Sequence, residues 1–390
     1  MEKAKRGILM NFALTDEQRL LIEQVRELCI NELQPYFASR QKSELEFDLW
    51  PLRLLGELNI VCPTIPKEYG GLGLDIITTA LVIEEIAACW PGLAAVIDTN
   101  LHAVQPLLLA GSPEQKEKYL PLLTGPDAGL ASFAFTETTG GSDIDAMQTC
   151  ARKTKGGFII DGGKDYVLNA PQANFLTLFA MTNQQNKKSS LRCFIIPRDT
   201  FGVKIDKYYD MTTLDYAQLA KLVFNEAFLD NDAIIKENEL FSGYLLLSQT
   251  FDIGRVLVGA TSVGIARAAY EIAKNYANER FQFGRPLKRH QAVAHDLVDM
   301  ATKIQMARLM TWQACWLIDQ GDDYTVASAM AKFSASQIAQ EVTLKASDIL
   351  ASRAYERGSF IEQLSRDARV LSTIEGANNI QKNIIASLIL

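Results

Sequence analysis

The segment Ile374-Glu375-Gly376-Ala377-Asn378-Asn379-Ile380-Gln381 places one carboxylate among small and apolar residues, just ahead of an apolar helical run. A carboxylate in such a setting is partly desolvated, which raises its pKa and makes it a stronger base when ionised. The same glutamate also reads as a helix-start residue favoured by the helix dipole. In Phe133-Ala134-Phe135-Thr136-Glu137-Thr138-Thr139-Gly140-Gly141-Ser142-Asp143, two aromatics project from one strand face and a Gly-Gly-Ser turn then frees backbone amides. Aromatics can cover a planar ring while amides and hydroxyls bond its heteroatoms, although an ordinary strand and turn has the same composition. Lys164-Asp165-Tyr166-Val167-Leu168-Asn169-Ala170 adds another strand aromatic. Glu279-Arg280-Phe281-Gln282-Phe283-Gly284 closes a long helix with an arginine. Its fork of donors suits a diphosphate and suits a helix C-terminus equally well.

The elements that must position these residues fall into three stretches. The first is helical. Thr15-Asp16-Glu17-Gln18 and Ser112-Pro113-Glu114-Gln115 are capping boxes, the former followed by apolar residues at helical spacing. Between them Pro66 to Gly73, with three glycines in four positions, forms a tight loop, and a helical run from Ile76 to Cys89 follows. From about 130 to 235 short β-rich runs take over, at Phe158-Ile160, Phe175-Phe179, Cys193-Ile196 and Leu222-Phe224, punctuated by Gly156-Gly157, Gly162-Gly163 and Asn183 to Ser189. They predict a small barrel or sandwich. Four helical runs, Val256 to Tyr276, Ala292 to Leu317, Val326 to Leu350 and Ile374 to Ile389, then predict a four-helix bundle. The fold class is α+β multidomain: an N-terminal helical domain over 1–128, a central β-domain over 129–240 and a C-terminal bundle over 241–390.

With 390 residues, 48% of them hydrophobic and 22% charged, the chain can bury a large core. A net charge of -7 argues against nucleic acid, whose phosphates need a basic surface; the basic clusters at Lys187-Lys188 and Arg285 to Arg289 are short. Six cysteines without CxxC spacing read as reduced thiols in a cytoplasmic protein, and three histidines, His102, His290 and His295, give a metal little to bind. The N-terminus lacks a continuous apolar signal region, and no run of about 18 apolar residues predicts a membrane span.

Taken together, the chemical segments resemble the acyl-CoA dehydrogenase family along essentially the whole chain. The family's early loop resembles Pro66 to Gly73, its TEPxxGSD segment Thr136 to Asp143 with Thr138 in place of proline, its RxxFG segment Arg280 to Gly284, and its EGTxxIQ segment Glu375 to Gln381. The resemblance implies FAD between the β-domain and the bundle. Phe133, Phe135, Thr136, Gly141, Ser142, Tyr166 and Leu168 would meet the flavin. Arg280, Gln282, Phe283 and Gln291 of a neighbouring subunit would approach the adenosine diphosphate part, in a dimer or a dimer of dimers. Glu375 would remove the α-proton of an acyl thioester while the flavin takes the β-hydride. Asp252, Arg255, Ser142 and Gly376 would meet the substrate, with Gly254, Val258 and Ile374 lining its acyl pocket. Gly254 stands where some relatives place their catalytic glutamate.

Several residues depart from the family pattern. Tyr166 and Leu168 replace Trp and Thr, Ala377 replaces Thr, and Asn379 replaces Gln. The QxxGG segment reads Asp348-Ile349-Leu350-Ala351-Ser352, followed by Arg353. Similar departures occur in relatives that act on carrier-protein thioesters, including prolyl-carrier-protein dehydrogenases. The acyl group is thus expected on CoA or on a carrier protein, with an electron-transfer protein or oxygen as acceptor. A flavin monooxygenase, a nitroalkane-type oxidase and a non-catalytic scaffold of the same fold are the competing readings.

Overall fold

Both capping boxes begin helices. In the computed structural model, which describes residues 13–39, 47–185, 187–235 and 243–390, Thr15 and Gln18 cap each other's backbone at α1 (Asp16–Leu28). This satisfies amides that a first turn leaves without partners. The N-terminal segment 1–12 and the expected boundary at 240/241 lie outside the described residues. A π-helical turn, Cys29–Leu33, carries α1 into α2 (Gln34–Ser39); α3 (Trp50–Glu57), α4 (Ile76–Cys89), α5 (Pro91–Ala110) and α6 (Pro113–Tyr119) follow. Ser112 and Gln115 form the second capping box, at α6. In the loop before α4, a Cβ at Gly71 would lie 2.0 Å from the Ile65 carbonyl oxygen, so only glycine lets the two backbones pass.

The strands are β1 (Leu130–Ala134), β2 (Cys150–Lys153), β3 (Gly157–Leu168), β4 (Ala173–Met181), β5 (Leu191–Pro197), β6 (Val203–Tyr209), β7 (Leu219–Asp230) and β8 (Ile234–Ile235), with a short α7 (Lys187–Ser190) before β5. They form one mixed sheet in the order β6-β7-β3-β2-β4-β5-β8, with β1 pairing parallel to β4. The ladder is open, with β6 and β8 at its ends, yet it curls over its own core. Phe158 of β3 meets Phe194 of β5 at 5.1 Å between ring centroids, where a flat sheet would hold strands three places apart at about 14 Å. Gly162-Gly163 does not separate two strands as the sequence suggested. It lies inside β3, where Gly162 takes φ 134° and the register with β7 shifts, a bulge that bends one long strand.

The C-terminal part contains α8 (Gly243–Glu279), a hairpin of β9 (Phe281–Gln282) and β10 (Arg285–Pro286), α9 (Gln291–Gln320), α10 (Thr325–Leu350), α11 (Phe360–Val370) and α12 (Asn378–Ile389). Two details differ from expectation. Helix α11 was not foreseen, and the run from Ile374 to Ile389 is helical only from Asn378. Helix α8 packs against α4, α5, α9 and α10. An ion network around two buried glutamates fastens this junction: Glu84 pairs with Arg308 at 2.7 Å, and Glu85 with Arg26 and Arg267 at 2.8 Å each. Helices α5 and α8 are long and apolar enough to cross a membrane, but 78% of each apolar window is buried within the fold. All six cysteines are free, five of them buried.

Candidate active site

Glu375 sits in the turn between α11 and α12, at a left-handed φ of 53°, with Gly376 following at φ 82°. A non-glycine residue in this region is strained unless its surroundings hold it there. Here they do. Gln381, fully buried on α12, donates from Nε2 to the carbonyl oxygens of Glu375 (2.9 Å) and Gly376 (2.8 Å). From α10, Lys332 reaches the same turn with a side chain that is 0% exposed; its Nζ donates to the Gly376 oxygen at 2.9 Å and to Asn378 Oδ1 at 3.0 Å. Burial pushes the Lys332 ammonium down to about 8, against the opposing pull of Glu375.

The Glu375 carboxylate points toward α5 and α8. Its Oε2 lies 3.0 Å from Nε2 of His102, a ring 4% exposed on α5. Both atoms lack an aligned hydrogen-bond partner among the described residues, so the approach is a charge contact rather than a directed bond. Behind the ring, Nδ1 is 2.9 Å from the Asp98 carbonyl oxygen and 3.5 Å from Asp98 Oδ1. Burial alone would push His102 down, but the Glu375 and Asp98 carboxylates outweigh it and raise the imidazole to about 10. Asp98 is pushed up to about 7, chiefly by burial. On α8, Asp252 and Arg255 pair with each other, and Asp252 Oδ2 accepts from Thr325 at 3.1 Å. Arg255 Nε has no partner among the described residues. Gly254, between them, faces the imidazole: a Cβ there would stand 1.6 Å from His102 Nε2. Val258 is 1% exposed and packs in the bundle core.

The two aromatics of the expected flavin wall stand side by side, Phe135 buried and Phe133 partly buried. Phe133 and Phe135 share one face at 6.2 Å, and Phe133 lies 6.0 Å from the His102 ring, which links the wall to Glu375. Phe251 of α8 packs edge-on against both rings. Thr136 is half-buried beside an exposed turn in which the amides of Gly141 and Ser142 donate to nothing among the described residues. Glu137 is fixed below it by Lys164 and by the amides of Gln148 and Thr149. Tyr166 is exposed at φ 52° and stacks on Tyr209 at 4.4 Å. The Leu168 carbonyl accepts from Ser132. Ile374, Ala377 and Asn379 are partly buried or exposed around the Glu375 turn, and Ala377 and Asn379 border an open cleft of about 500 Å³ against Gln337 and Gln340 of α10.

The remaining expected cofactor residues stand apart. Arg280 follows the last turn of α8, and Gln282 and Phe283 lie on the exposed β9–β10 hairpin, Phe283 being 93% exposed. Gln291 begins α9 at the surface. Asp348 and Ser352 are exposed at the end of α10, with Ala351 between them at φ 54°, and Arg353 lies 5.3 Å over the Tyr276 ring. Among the described residues these side chains make no hydrogen bond to the β-domain.

The N-terminal, middle and C-terminal domain families of acyl-CoA dehydrogenases match residues 15–127, 132–227 and 242–390. The chain belongs to the acyl-CoA dehydrogenase family. It is 31% identical to the mitochondrial short-chain specific acyl-CoA dehydrogenase of Homo sapiens over 385 residues, covering 98% of this chain and 92% of that protein. Among solved structures it resembles PigA with FAD and proline (TM-score 0.91, 27% identity, 97% and 99% coverage). It also resembles the prolyl acyl carrier protein oxidase AnaB (TM-score 0.89, 26% identity, 97% and 100% coverage).

FAD is the cofactor of the acyl-CoA dehydrogenase family, and the residues fit it: an aromatic wall at Phe133 and Phe135, two open amides at Gly141 and Ser142, and the Thr136 hydroxyl beside them. Sequence reasoning missed His102, Asp98, Lys332 and Gln381. The available signals were a histidine four residues after an aspartate on an otherwise apolar helix, and a lone lysine in the small-residue run Ala329-Met330-Ala331-Lys332.

Proposed function

We propose that the protein oxidises the bond between the α and β carbons of a small or medium acyl thioester, with Glu375 removing the α-proton. FAD, when bound, supplies the acceptor for the β-hydride. The observation that carries this reading is the Glu375 turn, whose left-handed backbone is held from α10 and α12 and whose carboxylate meets the His102 ring next to Phe133. A base so held loses little entropy on meeting its substrate. The Glu375 amide, in the same turn, can donate to the thioester carbonyl and stabilise the charge that grows as the proton leaves. Arg255, through its Nε, and Ser142 would meet the phosphopantetheine arm that CoA and carrier proteins share.

A carrier-protein substrate is the second reading, favoured by the likeness to AnaB and by the side chains of Asp348 and Ser352 where the family pattern has QxxGG. The exposed aromatics Phe281 and Phe283 on the hairpin support a dimer of dimers, in which Arg280, Gln282, Phe283 and Gln291 complete a neighbour's FAD site in the cytoplasm. Freshly purified protein should be yellow; a colourless tetramer would indicate a scaffold instead. Anaerobic mixing with butyryl-CoA and with a prolyl-loaded carrier protein separates the two readings by which thioester bleaches the flavin, and failure of every acyl thioester to bleach it would refute both. Reoxidation in air then tells an oxidase from a dehydrogenase that needs an electron-transfer protein.

A further inference from the structure

Outside the family pattern, one histidine is built into the site. We propose that His102 is a positioning residue for the base: an imidazolium that keeps the Glu375 carboxylate ionised and turned toward the substrate, in a slot left open by Gly254. The proposal rests on Glu375 being the base, and it adds a cation set directly against that base.

The geometry carries it. Nε2 of His102 lies 3.0 Å from Glu375 Oε2, the ring is 4% exposed, and Asp98 anchors its far side through Nδ1. Any side chain at position 254 would occupy the ring's place, since even a Cβ would come within 1.6 Å of Nε2. The glycine and the histidine are therefore one device. The charged groups facing the ring are Asp98 on α5 and Glu375 on the α11–α12 turn, with Phe133 of β1 on another side, while Arg255 of α8, paired with Asp252, and Lys332 of α10 act on Glu375. Arg255 and Lys332 also feel the Glu375 charge, but Arg255 is paired with Asp252 and Lys332 is bonded to the Gly376 carbonyl and Asn378, and the cation in contact with the carboxylate oxygen is His102. The raised proton affinity of the ring agrees with this arrangement.

A protonated glutamate cannot act as a base, and a cation against the carboxylate oxygen favours its ionised form. The imidazolium is that cation. In the reaction Glu375 accepts the α-proton from carbon and becomes neutral, while His102 keeps its own proton and Asp98 remains its partner. Removing the imidazolium should yield a base that is ionised only at higher pH, and there no weaker than the original.

Magic-angle-spinning NMR of the FAD-loaded protein carrying 15N-histidine tests the charge contact without turnover, with the His102 signals assigned by their loss in His102→Asn. The ring should remain doubly protonated at pH 8.5 in the wild type, and its titration should move down by about one to three pH units in Glu375→Gln. A neutral ring at pH 7 in the wild type, or identical titrations in both proteins, would overturn the proposal. As a functional arm, flavin reduction by butyryl-CoA in His102→Asn should show its acid limb moved up by about one to three pH units, with the alkaline plateau retained. A proportional loss at every pH would mark a merely structural role. Wild-type flavin reduction by Glu375→Gln would instead refute the assignment of the base and leave the NMR result standing.

Discussion

Of the three non-glycine residues of the C-terminal part at positive φ, Phe283, Ala351 and Glu375, the last two are held in different ways. Glu375, at φ 53°, lies in a turn tied by Gln381 and Lys332 and faces His102. Ala351, at φ 54°, ends α10 with its amide bonded to Ser347 and with exposed neighbours. The first is over-determined within one chain. The second lies on exposed surface, like the hairpin at Phe281–Pro286 and the turn at Gly141 and Ser142, whose amides donate to nothing among the described residues. Strain supported from several sides marks the group that must not move during chemistry, and open surface marks where cofactor and neighbouring subunits complete the site.

The contrast breaks most sharply at Gly254. A methyl group there must displace His102, so Gly254→Ala is expected to slow flavin reduction about 100-fold with FAD content unchanged, and the added substitution His102→Ala should recover part of the rate; stopped-flow reduction measures both. Next comes Lys332→Met, which keeps the volume but removes a buried donor, leaving the Gly376 carbonyl to Gln381 and Asn378 Oδ1 to Ser336. It should cost about 2–5 kcal/mol in urea unfolding.

pH gives a smaller effect. His102 is raised to about 10 in the folded protein, against about 6.5 for a free imidazole. The stabilisation this represents is complete below about pH 6.5 and is lost as the pH rises toward 10. Asp98, raised to about 7 by burial, adds a loss at lower pH, from about 4 to 7. Melting temperatures of the wild type should therefore fall more steeply than those of His102→Asn between pH 7 and 10. The smallest effect is on the open side: Ala351→Gly relieves a left-handed alanine and should stabilise the protein by about 1 kcal/mol, with the rate of flavin reduction unchanged.

The helical, sheet and helical order was legible because its signals are local. Thr15 with Gln18, Ser112 with Gln115, and the β-rich runs at Phe158, Phe175 and Cys193 each announce an element from within a few residues. Glu375 was legible only through its register with three other segments, since its immediate neighbours fit a helix start as well as an active site. The turn from Ile374 to Ala377 was masked by the apolar residues that continue into α12, and Gly162-Gly163 mimicked a break because a bulge uses the same residue. His102 and Gly254 were illegible as a pair. They stand 152 positions apart, and neither has meaning until α5 and α8 bring the missing Cβ of one against the ring of the other.

The central claim is that Glu375 takes the α-proton. It is tested most directly by anaerobic flavin reduction in wild type and Glu375→Gln of equal FAD content, mixed with the thioester that bleaches the wild type fastest. A slowing of about 10²–10⁴-fold is expected, with the thioester still bound as shown by the perturbed flavin spectrum. Reduction of the Glu375→Gln flavin at the wild-type rate would contradict the account.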